Sequence, residues 1–109
     1  MSKKPWLGKL RARLDEAITY GTKKEALGIA KEGLKQAEEK KLPGEVEYFK
    51  GQLEIIKGRF ATAIEHFDAA IVYSPKDGAS YNDRALCMVE LGIIDAAFGY
   101  FDKGIKVEP

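Results

Sequence analysis

Residues 58–75 read GRFATAIEHFDAAIVYSP, and residues 92–109 read GIIDAAFGYFDKGIKVEP, a shift of 34. Under that shift Gly58 falls on Gly92, Ala63 on Ala97, Phe67-Asp68 on Phe101-Asp102, Ile71 on Ile105 and Pro75 on Pro109. Extending the alignment back to Gly44 over Gly78 gives seven identities in 32 positions, where ordinary composition gives about two by chance. Lys50 with Arg84, Gly51 with Ala85, Ile55 with Val89 and Ala70 with Gly104 add similar pairs. Self-similarity at a fixed period of this length is the mark of a repeat architecture.

Each unit reads as two helices. In the middle unit Pro43-Gly44 interrupts what precedes, and Val46, Phe49, Leu53 and Ile56 recur at three and four residues, the helical period. Gly58 is placed to end that helix in a tight turn, because glycine takes positive φ without a Cβ penalty. Phe60, Ala63, Ile64, Phe67, Ala70 and Ile71 form the second stripe, which Ser74-Pro75 stops. The last unit repeats the scheme with Tyr81, Ala85, Met88, Gly92, Ala97, Phe101, Ile105 and Pro109. The first 43 residues align at a shift of 37, Gly21 to Gly58, Ala26 to Ala63, Gly33 to Ala70 and Leu34 to Ile71. The extra three residues fall near Glu38–Lys41, after a longer second helix, and Thr22-Lys-Lys-Glu25 is a capping box ahead of Ala26. No β-type alternation of useful length is present. The expectation is an all-α single domain over residues 1–109, six helices in three hairpins, with repeats at about 7–43 (degenerate), 44–77 and 78–109.

A 34-residue helix-turn-helix unit carrying Gly51…Gly58-Arg-Phe60…Ala63-Ile64…Phe67…Ala70…Pro75, echoed by Ala85…Gly92-Ile-Ile94…Ala97-Phe98…Phe101…Gly104…Pro109, resembles the tetratricopeptide repeat. The resemblance covers nearly the whole chain and implies hairpins stacked as a right-handed α-solenoid. Small Gly51 and Ala63 let paired helices approach while Phe60 and Phe67 fill the space beside them, so large residues at the small positions should cost about 1–3 kcal/mol. The chain departs from the family's pattern in places. Glu47 stands where the family has an early aromatic, which the last repeat supplies as Tyr81; Glu54 stands at a usually bulky position; and Leu14 takes a usually small one, so that the first hairpin should be splayed. The chain ends at Pro109 as the last hairpin closes, where the family commonly adds a solvating helix. The expectation is a fragment of a longer protein or an end face that meets a partner.

Composition limits the functional classes. The 109 residues carry 18 Lys+Arg against 17 Asp+Glu, one Cys and one His. One Cys excludes a disulfide framework or Cys-based zinc cluster within the chain, and a formal charge of +1 is unlike that of a generic nucleic-acid binder. No stretch approaches the ~18 apolar residues of a membrane span, and Lys9, Arg11 and Arg13 break up any secretory leader. Residues 1–14 hold no acid, and Trp6, Leu7, Leu10 and Leu14 line a face opposite those cations, a pattern that also suits a membrane surface. The pattern continuing through Ala17 and Ile18 favours a first core helix. Cytoplasmic residence, no cofactor and no metal are the corresponding expectations. Catalysis is not expected either: Glu65-His66 belongs to no His-Glu-x-x-His motif, Cys87 occupies a core position equivalent to Leu53, and no glycine-rich phosphate loop occurs.

The resemblance implies a concave surface lined by the first helix of each hairpin: Arg11, Asp15 and Ile18 from the first, Glu45, Tyr48, Gln52 and Ile55 from the second, Ala79, Asn82, Leu86 and Val89 from the third. Tyr48 is the expected anchor for a bound peptide. Chaperone-adaptor members of the family clamp a C-terminal carboxylate with cationic and amide side chains. The corresponding positions here hold Arg11, Asp15, Phe49, Ala79 and Asp83, and the two aspartates would repel such a ligand. Residues 1–43 carry 11 basic and 6 acidic side chains, and residues 44–109 carry 7 basic and 11 acidic. The expected function is therefore a protein-interaction module that binds a peptide or protein partner in its groove. The alternatives are a self-associating scaffold, joined head to tail or through the uncapped last hairpin, and an accessory part of a larger assembly.

Overall fold

The computed structural model describes residues 5–108, in six α-helices and no strand: α1 Pro5–Tyr20, α2 Lys23–Glu39, α3 Pro43–Ile56, α4 Phe60–Tyr73, α5 Gly78–Glu90 and α6 Ile94–Val107. Lys3, Lys4 and Pro109 lie outside the described residues, as does the side chain of Leu7. The all-α expectation holds, and the period survives at the backbone, since α4 and α6 begin and end 34 residues apart. At 17 residues α2 is three longer than α4, which accounts for the offset of the first unit. No described helix is long and apolar enough to cross a membrane.

The turns explain where the helices stop. Gly58 and Gly92 take φ of +75° and +80°. At the end of α3 the Gly58 N–H donates to the Ile55 carbonyl and the Arg59 N–H to that of Glu54; Gly92 and Ile93 do the same to Val89 and Met88 at the end of α5. This 5→2, 6→1 pattern is the Schellman closure, which needs a left-handed residue at its hinge. The end of α2 has the same pair of bonds, with Lys41 at φ 55° in the hinge position. Gly21 is not left-handed, so its alignment with Gly58 does not extend to backbone geometry. Thr22 caps α2, its Oγ1 accepting the Glu25 N–H at 3.1 Å, and Pro43 sits in the first turn of α3, where its missing N–H costs nothing.

Helices pack chiefly against their neighbours in the chain, within each hairpin and between α2 and α3 and α4 and α5. Two small-to-large contacts govern the spacing. A Cβ on Gly51 of α3 would fall 2.7 Å from Cε1 and Cζ of Phe67 in α4, and one on Gly33 of α2 would collide with the ring of Phe49 in α3. Between the two rings lies Tyr48, edge-on to Phe49 at 5.2 Å and to Phe67 at 6.2 Å. Leu10, Leu14 and Ala17 of α1 are buried in the same cluster, with Trp6 packed against it, so the first basic stretch is a core helix. With Leu14 at its small position, the first hairpin is the loosest of the three.

One of the departures noted in the sequence has a local partner. Glu47 on α3 takes His66 of α4, Oε2 to Nδ1 at 2.7 Å. In the last hairpin the equivalent positions are Tyr81 and Tyr100, and the Tyr81 hydroxyl instead donates to the Pro75 carbonyl at 3.0 Å.

Candidate functional site

The first helices of the three hairpins carry equivalent triads at i, i+4 and i+7: Arg11-Asp15-Ile18, Tyr48-Gln52-Ile55 and Asn82-Leu86-Val89. That spacing puts the members of each triad on one helical face. The first two faces meet through their first members, and one of these side chains reaches on to the third hairpin. The Arg11 guanidinium lies over the Tyr48 ring at 3.7 Å from its centroid. It reaches on to Asp77 at the start of α5, donating from Nη1 to Oδ1 at 3.0 Å and from Nη2 to Oδ2 at 2.9 Å. A planar fork matched to a carboxylate in this way fixes direction as well as charge. A side chain of the first hairpin thus holds the third across the second.

Tyr48 is consequently not presented to a partner. It is 2 % exposed, sealed above by Arg11 and flanked by Phe49 and Phe67, and the expected anchor role is corrected to that of a core residue. A tyrosine between two aromatic rings is buried as soon as a cation lies across its one free face. Gln52 is buried too, its Nε2 donating to Asp83 Oδ2 at 2.6 Å. Phe49, at an expected clamp position, is fully buried. Glu45 and Ala79 are half-buried at the upper edge, beside Arg11 and the core respectively.

The electrostatics follow from this geometry. Burial works against the Arg11 charge, but the bonds it donates to Asp77 and the nearby negative groups outweigh it, and its pKa is raised. For Asp77 burial raises the pKa, while Arg11 and the Ser80 hydroxyl, which donates at 3.0 Å, lower it further, and the net direction is down. Asp83 lacks a bonded cation. Burial pushes it up to about 6, helped by the charge of Asp15 and opposed by hydrogen bonds from Gln52 and Asn82 and by Arg11. The Arg11 Nε is buried with no hydrogen-bond partner.

What remains open on this face lies beyond the ion pair, towards the hairpin turns. Ile18 is 41 % exposed, Leu86 47 % and Val89 39 %, with Ile55 half-buried between them. Ile18, Ile55 and Val89 are the same register position in successive repeats, so they form a ladder of β-branched side chains, one rung per hairpin. Asp15 and Asn82 are exposed beside it. Sequence reasoning placed the triads but missed Asp77, whose partner is 66 residues away. The only local signal was Asp77-Gly-Ala-Ser80 at a helix start, which marks a cap.

The groups considered for chemistry stand elsewhere. Cys87 is buried and its thiol is pushed up to about 12 by burial and by Asp83 and Glu90. Among the described residues no group of three His, Cys, Asp or Glu side chains is placed to hold a metal ion. No protein-family model, curated protein or solved structure matches the chain.

Proposed function

We propose that this chain is a protein-interaction module of the tetratricopeptide type, a three-hairpin solenoid that binds an extended segment of a partner protein along the α1–α3–α5 face, without catalysis and in the cytoplasm. The observation that carries this reading is the Ile18–Ile55–Val89 ladder with Leu86 beside it. Single exposed aliphatic residues need no explanation, but the same position kept aliphatic in three successive units, exposed in the first and last and half-buried in the middle one, is a periodic apolar strip, suited to a chain that presents side chains at intervals. The Arg11–Asp77 bridge supports the reading because it locks the hairpins at a set spacing, so that little ordering is left to oppose binding. The charge environment suits a ligand whose contacts are apolar or cationic, since Asp15 stands exposed beside the strip.

The test is a display selection from a random peptide library on the immobilised chain, repeated on the doubly substituted Ile18→Asp/Val89→Asp variant. Both residues are well exposed, so the variant should keep its helical spectrum. Peptides enriched on the parent are expected to bind the variant at least tenfold more weakly, about 1.4 kcal/mol. Enrichment of nothing, or of peptides that bind parent and variant alike, would sink this reading.

A further inference from the structure

The last hairpin leaves a second surface open. On α6, Ile94, Phe98, Phe101 and Ile105 follow one another at intervals of four, three and four, which places all four on one stripe. Ile94 is 45 % exposed, Phe98 63 % and Ile105 66 %, with Phe101 half-buried. The equivalent stripe of α4 is Phe60, Ile64, Phe67 and Ile71; there Phe67 is fully buried against Gly51 and Tyr48 of its own hairpin and the other three are half-buried, with α5 packed on α4. The α6 stripe is therefore a packing surface of the same design, left open among the described residues. Beside it runs a cleft lined by Ala79, Asn82, Phe101 and Ile105.

The chain's own first helix is a poor cover for it. Phe49 of α3 packs on Gly33 of the preceding hairpin, and its equivalent on α1 is Ala12, flanked a turn away on either side by Lys9 and Glu16, all three exposed. A head-to-tail contact would bury a lysine and a glutamate against isoleucine and phenylalanine, a desolvation cost with no partner to offset it. The stripe itself indicates a different cover. It reads Ile-x3-Phe-x2-Phe-x3-Ile, the same from either end, with its centre between Gly99 and Tyr100. Such a pattern is self-complementary to an antiparallel copy, as a two-fold interface requires. The ends of α6 agree: Asp95 lies in its first turn and Lys106 in its last, so antiparallel pairing brings unlike ends together and parallel pairing brings like ends together.

We propose that the α6 stripe is a self-association surface, on which a second copy of this chain packs its own α6 antiparallel, Ile94 of each copy against Ile105 of the other and Phe98 against Phe101. Each Phe98 then lies next to the Ala79–Asn82–Phe101–Ile105 cleft of the opposite copy. The exposed parts of the stripe amount to roughly 400 Å² per copy, and with a polar rim the pair reaches the lower edge of the ~1,200–2,000 Å² range of specific interfaces. The dimer is accordingly expected to dissociate in the micromolar range. The Ile18–Ile55–Val89 strip lies on the first helices of the hairpins, and this proposal does not depend on what binds there.

The test is sedimentation equilibrium of the whole chain across a concentration series from about 1 to about 300 µM, with the Phe98→Glu variant alongside. The parent is expected to rise from 12.1 kDa to twice that mass and stop, and Phe98→Glu to remain monomeric with an unchanged helical spectrum. The register is read by mild oxidation of Ile94→Cys and Ile105→Cys variants, for which buried Cys87 gives no background. Across the antiparallel pair residues 94 and 105 face each other, whereas the two copies of either one are about 16 Å apart along the helix. A disulfide dimer should therefore form in the mixture of the two variants and not with either alone. A monomer at every concentration, a dimer that survives Phe98→Glu, a mass that keeps growing, or cross-linking of either variant with itself would each overturn the proposal.

Discussion

The close approach of α2 and α3 can be tested with one substitution made twice in the same helix. Gly33→Ala and Gly28→Ala both replace glycine inside α2, and helix propensity alone favours each by about 1 kcal/mol. Their surroundings differ. Around Gly28 there is nothing within 4 Å of an added Cβ. At Gly33 the added carbon would lie 2.6 Å from Cδ1 and Cζ of Phe49 and closer still to Cε1. The ring would have to retreat by about 1 Å to reach ordinary contact, which lies at roughly 3.5–4.0 Å. Phe49 is fully buried, and behind it stands Tyr48, held under Arg11. The strain therefore falls at the upper end for overpacking, about 3 kcal/mol, leaving Gly33→Ala destabilised by about 2 kcal/mol and Gly28→Ala stabilised by about 1 kcal/mol. For a domain of this size each 1 kcal/mol moves Tm by about 4–8 °C. Urea unfolding followed by circular dichroism should show midpoints displaced in opposite directions with unchanged slope. If both variants gain stability alike, α2 and α3 do not approach as closely as described, and the small-to-large packing scheme is wrong.

Three further predictions concern the Arg11–Asp83 region. Asp83 holds its proton to about pH 6 in the fold and to about 3.9 in the unfolded chain. Between those values the native state binds more protons, so the Asp83 contribution to stability falls as pH rises from 4 to 6, by at most about 3 kcal/mol. Asp77, held down by Arg11, acts in the opposite sense, its contribution being lost as pH falls through its lowered pKa. Asp83→Asn should thus stabilise the protein at pH 7 by about 1–2 kcal/mol and give no gain at pH 4; an equal effect at both pH values would refute the assignment. Arg11→Met strands the Asp77 carboxylate and should cost about 2–4 kcal/mol. Adding Asp77→Asn should restore much of that loss, and additive costs in urea titrations of the single and double variants would show that the bridge carries no coupling. Cys87, buried with its thiol near 12, should react with an aromatic disulfide reagent only at the unfolding rate, whereas prompt stoichiometric reaction would contradict its burial.

The helices were legible because their determinants are local. The 3.6-residue spacing of Phe60, Ile64, Phe67 and Ile71, the glycines at the Schellman hinges after α3 and α5 and the proline after α4 act within a few residues of themselves, and the 34-residue recurrence repeats that local information. The role of Gly51 was legible for the same reason, since a hairpin pairs it with Phe67 at short range. The face carrying the candidate site was legible as a face: the triads Arg11-Asp15-Ile18, Tyr48-Gln52-Ile55 and Asn82-Leu86-Val89 follow from repeat register alone. What each member does there was not. Tyr48 is exposed or buried according to where a guanidinium of the neighbouring hairpin extends, and Arg11 finds Asp77 only when three hairpins have stacked. Asp83 becomes a proton-holding group through burial beside Gln52, although as a sequence position it is one acid among 17. Periodicity and turn chemistry, which depend on neighbours in the chain, were determined by the sequence by itself. Which side chains cover one another, and therefore which strip is left for a partner, was decided by the tertiary structure. Burial and charge pairing depend on distances in space that the spacing of residues along the chain does not encode.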